Sequence, residues 1–138
     1  MGFIFMKKEQ LRKLFNKQEI SDYGEIEVNG KTVWHAALEN TAKDQAPLFR
    51  SISNLSSLFE GYNGYIIISE KDLKDKYYNV ENAERDVIVY GGITYSAKVD
   101  GWVIFGFDTS HCDSHEFPIN DLSWIKEEVI DMGKQLIK

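Results

Sequence analysis

Residues able to perform acid–base or metal chemistry are concentrated in one short stretch of the chain. It holds two carboxylates and two imidazoles, at Asp108, His111, Asp113 and His115. Such groups bind Zn²⁺ or Mn²⁺, and a histidine near an aspartate can act as a general base. Asp108 and His111 are therefore the candidate catalytic residues, and all four are candidate metal ligands. We expect no organic cofactor, because no P-loop, dinucleotide fingerprint or H-E-x-x-H motif occurs; a divalent metal is the open alternative.

A purely structural interpretation of the same stretch also stays open. Asp108, Thr109 and Ser110 carry side-chain oxygens that can order a turn by bonding backbone amides. His111 or His115 would then only cap the loop that follows. In that case the stretch needs neither metal nor substrate.

A second candidate site is a binding segment around a pair of glycines. Its residues are Tyr90, Gly91, Gly92, Thr94 and Tyr95. A Gly-Gly pair lets a ligand meet bare backbone N–H groups, and the neighbouring side chains offer three hydroxyls. Phosphate-binding glycines, however, usually precede a helix, whereas here a strand is predicted to continue. This favours a bulge or turn over a phosphate cradle.

The strands that would position these residues are marked by turn dipeptides. Asn29-Gly30 joins two alternating runs and predicts a hairpin in which Ile26, Val28, Thr32 and Trp34 share faces, with Glu25, Glu27, Val33 and His35 opposite. The run 65–68 is apolar throughout and predicts a central strand. Asp100-Gly101 predicts a second hairpin, between a strand over 87–96 and a strand over 102–107.

The helices are predicted from apolar spacing. The steps of three and four between Leu122 and Leu136 predict a C-terminal helix capped by Asn120 or Asp121. Weaker patterns predict helices over 6–18 and 47–59. The sequence thus predicts one α+β domain over residues 1–138: a mostly antiparallel sheet of about five strands, with the N- and C-terminal helices on one face.

Composition narrows the class of function. A net charge of −6 and a pI near 5.1 disfavour a duplex nucleic-acid groove, which needs clustered Lys and Arg. Cys112 is the only cysteine, so an intrachain disulfide is excluded and a reducing cytoplasm is the expected location. The apolar run 1–6 is shorter than a signal peptide's core, and no membrane association is expected.

The second half of the chain resembles a family of small uncharacterised proteins of bacteriophages and their bacterial hosts. The resemblance rests on V-Y-G-G-I-T-Y over 89–95, on W-V-I-F-G-F-D over 102–108 followed by His111, and on the C-terminal helix. The family pattern has a histidine where this chain has Tyr90, and its last aspartate falls at Ser114 unless the loop shifts to use Asp113. The residues that match the family pattern directly are Gly91, Gly92, Thr94, Asp108 and His111.

The resemblance implies a phage context but no reaction. Together with the acidic charge, it leads us to expect a binding or inhibitor protein that acts on a host defence or regulatory complex through a protein partner. The alternative is a small hydrolase or a small-molecule-binding enzyme that uses Asp108 and His111, with or without a divalent metal. The balance favours a protein that is not an enzyme.

Overall fold

The fold is a five-stranded antiparallel sheet with helices on both faces. The structure is a computed structural model and describes residues 8–15, 20–39, 61–109 and 117–138. Its strands are β1 (Ile20–Val28), β2 (Lys31–Glu39), β3 (Tyr62–Ser69), β4 (Tyr95–Val99) and β5 (Trp102–Phe107), in the order β1-β2-β3-β5-β4. Its α-helices are α1 (Lys8–Leu14), α2 (Val80–Asp86) and α3 (Leu122–Leu136). The predicted α+β class, antiparallel sheet and terminal helices are confirmed.

The central position of β3 follows from its composition. Ile66, Ile67 and Ile68 are all fully buried. Because side chains alternate across a strand, Ile66 and Ile68 face α3 while Ile67 faces α1. A strand that is apolar on both sides needs a cover on each side. The prediction that both terminal helices lie on one face is therefore wrong: α1 and α3 pack on opposite faces.

Both predicted turn dipeptides form two-residue hairpin turns. Asn29 and Gly30 have φ of 54° and 78°, and Asp100 and Gly101 have φ of 51° and 84°. Positive φ at both central positions defines the turn type whose twist suits a hairpin. The Asn29 side chain also donates hydrogen bonds to the carbonyl oxygens of Lys134 (3.2 Å) and Ile137 (3.0 Å), so the first turn holds the end of α3.

The predicted face assignment in the β1–β2 hairpin is wrong. The register pairs Ile26 with Val33, Glu25 with Trp34 and Glu27 with Thr32. A two-residue turn fixes this register, because it sets Val28 directly opposite Lys31. Ile26 therefore shares the α3 face with Val33, while Trp34 lies among the glutamates on the α1 face.

The segment predicted as a strand over 87–96 is a strand only from Tyr95. Val87 and Ile93 are buried, but residues 87–94 form an irregular stretch with a turn, and Ile88 is 82% exposed. Before it, the chain forms two short 3-10 helices, Glu70–Asp72 and Asp75–Tyr78, and then α2. The predicted helix over 47–59 lies outside the described residues.

The start of α3 matches its prediction. Asp121 is the cap, and its Oδ1 accepts hydrogen bonds from the N–H groups of Ser123 (2.9 Å) and Trp124 (3.4 Å). Gly133, in the last turn, lies against the sheet: a Cβ there would stand 2.6 Å from Ile66 Cδ1. Glycine lets α3 approach the sheet closely at this point.

Candidate functional site

Asp108, the first candidate catalytic residue, lies immediately after β5 and is half-buried. The next residue, Thr109, is fully buried and ties this end of β5 to β3. Its N–H donates to Asn63 Oδ1 at 3.1 Å, and its hydroxyl donates to the Tyr62 carbonyl oxygen at 3.1 Å. Thr109 thus fixes the end of β5 against β3, but its hydroxyl donates to a carbonyl oxygen, whereas the structural interpretation has side-chain oxygens that bond backbone amides. His111, Asp113 and His115 lie outside the described residues.

In addition to burial, Asp108 raises the pKa of a nearby aromatic residue, Tyr65. Its ring lies across Gly106, where an added Cβ would overlap the Tyr65 ring. The ring also contacts those of Phe15 and Tyr95, at centroid distances of 4.8 and 5.6 Å. Burial raises the pKa of the Tyr65 hydroxyl; a hydrogen bond with Asn63 opposes this, while Tyr95 and Asp108 add to it. Near neutral pH the phenol is therefore a hydrogen-bond donor rather than a base.

The Gly-Gly pair forms a turn. The Gly92 N–H donates to the Val89 carbonyl oxygen at 2.9 Å, and Gly91 and Gly92 have φ of 69° and 79°. Two residues later the Thr94 N–H donates to the Gly106 carbonyl oxygen at 2.9 Å and leads the chain into β4. The backbone conformation of the turn is enough to explain the two glycines without a ligand, because other residues rarely adopt positive φ.

Tyr90 and Tyr95, which were predicted to belong to one binding segment, lie on opposite sides of the sheet. Tyr90 packs edge-to-face on Phe117 and Trp124 at 4.9 and 5.5 Å, beside α3. Tyr95 points to the α1 side, where its ring meets that of Tyr65 edge-on. The turn therefore separates the two aromatic side chains rather than bringing them together.

His35 is buried on the α3 face of β2, with 4% of its surface exposed. It lies opposite Gly24, where a Cβ would stand 3.2 Å from His35 Nε2. Burial lowers the pKa of His35; the charge of Asp22 opposes this shift, and that of Lys126 reinforces it. Within the described ranges, no three His, Cys, Asp or Glu side chains are grouped so as to hold a metal ion.

One surface that the sequence analysis missed is an acidic strip on β1, formed by Tyr23, Glu25 and Glu27. These side chains alternate along the α1 face, and all three are exposed. The Tyr23 ring stacks on that of buried Trp34, with centroids 6.4 Å apart and planes 16° apart. The alternation E-I-E-V over residues 25–28 indicates that Glu25 and Glu27 share a face. The predicted hairpin register, however, places Trp34 on the opposite face.

A second missed feature is a depression of about 370 Å³ beside β4. It is lined by Tyr78, Asn79, Val80, Ser96, Ala97 and Lys98. Lys98 Nζ donates to the Tyr78 carbonyl oxygen at 2.8 Å, and the Tyr78 hydroxyl donates to the Glu70 carbonyl oxygen at 3.1 Å. The stretch 70–82 is polar, and nothing in its composition indicates that it borders a sheet edge.

Comparison with protein-family models, with curated proteins and with solved structures found no match to this chain. No helix within the described part of the chain is long and apolar enough to span a membrane.

Proposed function

We propose that this chain is a phage- or mobile-element-type binding protein that inhibits a host defence or regulatory complex by docking its acidic strip on a basic protein surface. The observation that carries the proposal is the exposed Tyr23, stacked on Trp34 and followed on the same face by Glu25 and Glu27. The phage context comes from the sequence resemblance of residues 61–136.

The strip combines the two properties that favour a protein interface. Tyrosine supplies a large contact area at a small loss of side-chain entropy, and stacking on Trp34 already restricts the Tyr23 ring before binding. The two glutamates on the same face complement a basic surface. The net charge of −6 on the whole chain also accelerates association with a positively charged partner.

The strip also lies on a strand at the edge of the sheet. β1 pairs with β2 alone among the described strands. Exposed carboxylates on an edge strand discourage pairing with a second copy of the same acidic strand. The strip is thus suited to side-chain recognition of a partner of opposite charge rather than to self-association.

Charge reversal tests this proposal. The doubly substituted variant E25K/E27K should weaken binding to the partner recovered stoichiometrically from host lysate by more than about tenfold, and Y23A should weaken it by a similar factor. The matched control is E81K/E84K, which changes the net charge equally on exposed positions of α2. The dissociation constant and its salt dependence are measured for each.

Two results would contradict the proposal. One is the absence of any stoichiometric partner. The other is equal affinity of the strip variant and the α2 control, which would mean that only net charge matters.

The second candidate function is that of a small hydrolase or small-molecule-binding enzyme. It is favoured by the position of half-buried Asp108 at the end of β5, close enough to Tyr65 to raise the pKa of its hydroxyl. A metal would be held by Asp108 together with His111, Asp113 or His115. Elemental analysis of protein purified without chelator, with D108N and H111A as variants, tests this function. Absence of metal together with ligand binding that both substitutions leave unchanged would exclude it.

A further inference from the structure

The outer edge of β4 carries backbone groups that no described residue pairs. The turn at Asp100 and Gly101 closes the β4–β5 hairpin on the pair Val99 and Trp102. In a hairpin with a two-residue turn this closing pair exchanges both backbone hydrogen bonds, and hydrogen-bonded positions then recur at every second residue. The N–H and C=O groups of Ser96 and Lys98 therefore point away from β5.

The depression beside this edge adds a side-chain pocket to the backbone groups that lack a partner among the described residues. Ser96 and Lys98 line it from the strand, and Tyr78, 41% exposed, lines it from the other side. The bond from Lys98 Nζ to the Tyr78 carbonyl oxygen holds the ammonium group there and uses one of its three hydrogens. Among the described ion pairs, none involves Lys98.

We propose that the edge of β4 receives an extended segment of a partner protein as a sixth strand, and that Lys98 binds a carboxylate of that segment at the depression. Addition of a strand to a sheet edge gives affinity through main-chain hydrogen bonds and specificity through pockets for alternate side chains. This inference rests on the proposed protein-binding function and adds a second contact surface to it.

Charge decides between a partner segment and a second copy of this chain. β4 has the sequence Y-S-A-K-V and contains no carboxylate. Two β4 strands paired with each other would bring two Lys98 ammonium groups near one another with no negative charge between them. A segment with an aspartate or glutamate opposite Ser96 or Lys98 removes that repulsion and satisfies the remaining donors.

The probe is a pair of synthetic peptides that alternate threonine and valine and differ only at the central residue, glutamate in one and lysine in the other. The glutamate peptide should bind at least about tenfold more tightly than the lysine peptide. On binding, the amide hydrogens of Ser96 and Lys98 should become protected from exchange. The variant K98E should reverse the preference between the peptides.

The backbone contribution is tested with S96P and the matched control S96A. Proline at this position removes the outward N–H but leaves the hydrogen bonds to β5, so peptide affinity should fall by at least about fivefold in S96P and stay unchanged in S96A. Circular dichroism checks that S96P keeps its fold, and K98E tests the same site without a backbone change.

The test of peptide binding at β4 can fail independently of the test of partner binding at the acidic strip. E25K/E27K should leave peptide binding unchanged, and S96P should leave the contribution of the acidic strip unchanged. Three results would overturn the inference: neither peptide binds, S96P and S96A bind equally, or the chain forms a dimer that S96P dissociates. The last result would mean that a second copy occupies the edge.

Discussion

The side-chain amide of Gln135 forms a hydrogen bond in each direction with the backbone of Ile88. The Ile88 N–H donates to Gln135 Oε1 at 2.7 Å, and Gln135 Nε2 donates to the Ile88 carbonyl oxygen at 2.7 Å. Two residues on, the Tyr90 N–H donates to Glu128 Oε1 at 3.2 Å. Side chains of α3 thus provide the partners that a neighbouring strand would otherwise give to residues 88–90.

Removal of the Gln135 amide should destabilise the protein modestly. In Q135A both hydrogen bonds to Ile88 are lost, together with the bond from Gln135 Nε2 to the Asp131 carbonyl oxygen. Because Ile88 is exposed and water can replace its partners, we expect a loss of about 1 kcal/mol in the free energy of unfolding. Urea denaturation measures this loss. The matched control is E127A, at an exposed position of the same helix; an equal loss in both variants would show that the Gln135–Ile88 pairing contributes nothing.

Asn29 should contribute to stability through its amide as well as through its turn. N29G keeps the positive φ but loses both hydrogen bonds to the end of α3, and we expect a loss of about 1 kcal/mol. N29D also places a negative charge at the negative end of the helix dipole, so its loss should be larger, about 2 kcal/mol. Thermal unfolding of N29G and N29D shows which of the two substitutions is the more destabilising.

The second hairpin provides the control for Asn29. Asp100 has the corresponding position and a similar φ, and D100N should change stability by less than about 0.5 kcal/mol. Equal stability of N29G and N29D would indicate that the charge at the end of α3 has no effect.

The parts of the fold that the sequence predicts well are those determined by neighbouring residues. Asn29-Gly30 and Asp100-Gly101 specify their turns by backbone conformation, and the run 65–68 specifies a buried strand by composition. The strand prediction for residues 87–94 is wrong because apolar alternation is equally compatible with an extended segment whose hydrogen-bond partners are side chains of a helix far along the chain. Because β3 is apolar on both faces, each face needs a helix to cover it. This requirement, rather than any pattern within residues 6–18, places α1 opposite α3.

The candidate site was harder to predict than the fold. The sequence places Asp108 at a strand end, and the structure agrees, but grouping Tyr90 with Tyr95 treated eight irregular residues as one strand. The acidic strip depends on the β1–β2 register, and an error of one position in a register exchanges the faces. The depression at β4 brings residues 78–80 beside 96–98, a contact that no local pattern encodes.

Gly133 should be intolerant of alanine although it lies within a helix. Alanine normally stabilises a helix by about 1 kcal/mol relative to glycine. In G133A, however, the new Cβ stands 2.6 Å from Ile66 Cδ1, and relief of this overlap should cost about 1–3 kcal/mol. We therefore expect a net loss of stability, measured by chemical denaturation.

A double-mutant cycle identifies the cause of the Gly133 effect. I66V removes the Cδ1 atom that the alanine Cβ would meet. In the I66V background, G133A should lose its penalty and become neutral or stabilising, which gives a coupling free energy of about 1 kcal/mol or more between the two positions. Simple additivity of the two substitutions would contradict the close approach of α3 to the sheet.

His35 should make the protein less stable in mild acid. Burial lowers the pKa of the folded-state imidazole below its ordinary value near 6.5, with Asp22 opposing the shift and Lys126 reinforcing it. As the pH falls below that ordinary value, the unfolded chain takes up the proton first, so the free energy of unfolding decreases. In H35Q the side chain is neutral at every pH, so the decrease between about pH 8 and about pH 5.5 should be smaller, because carboxylates common to both proteins cancel in the comparison. Urea titrations at the two pH values measure the difference, and an equal decrease in both proteins would mean that His35 titrates in the folded state as it does in the unfolded chain.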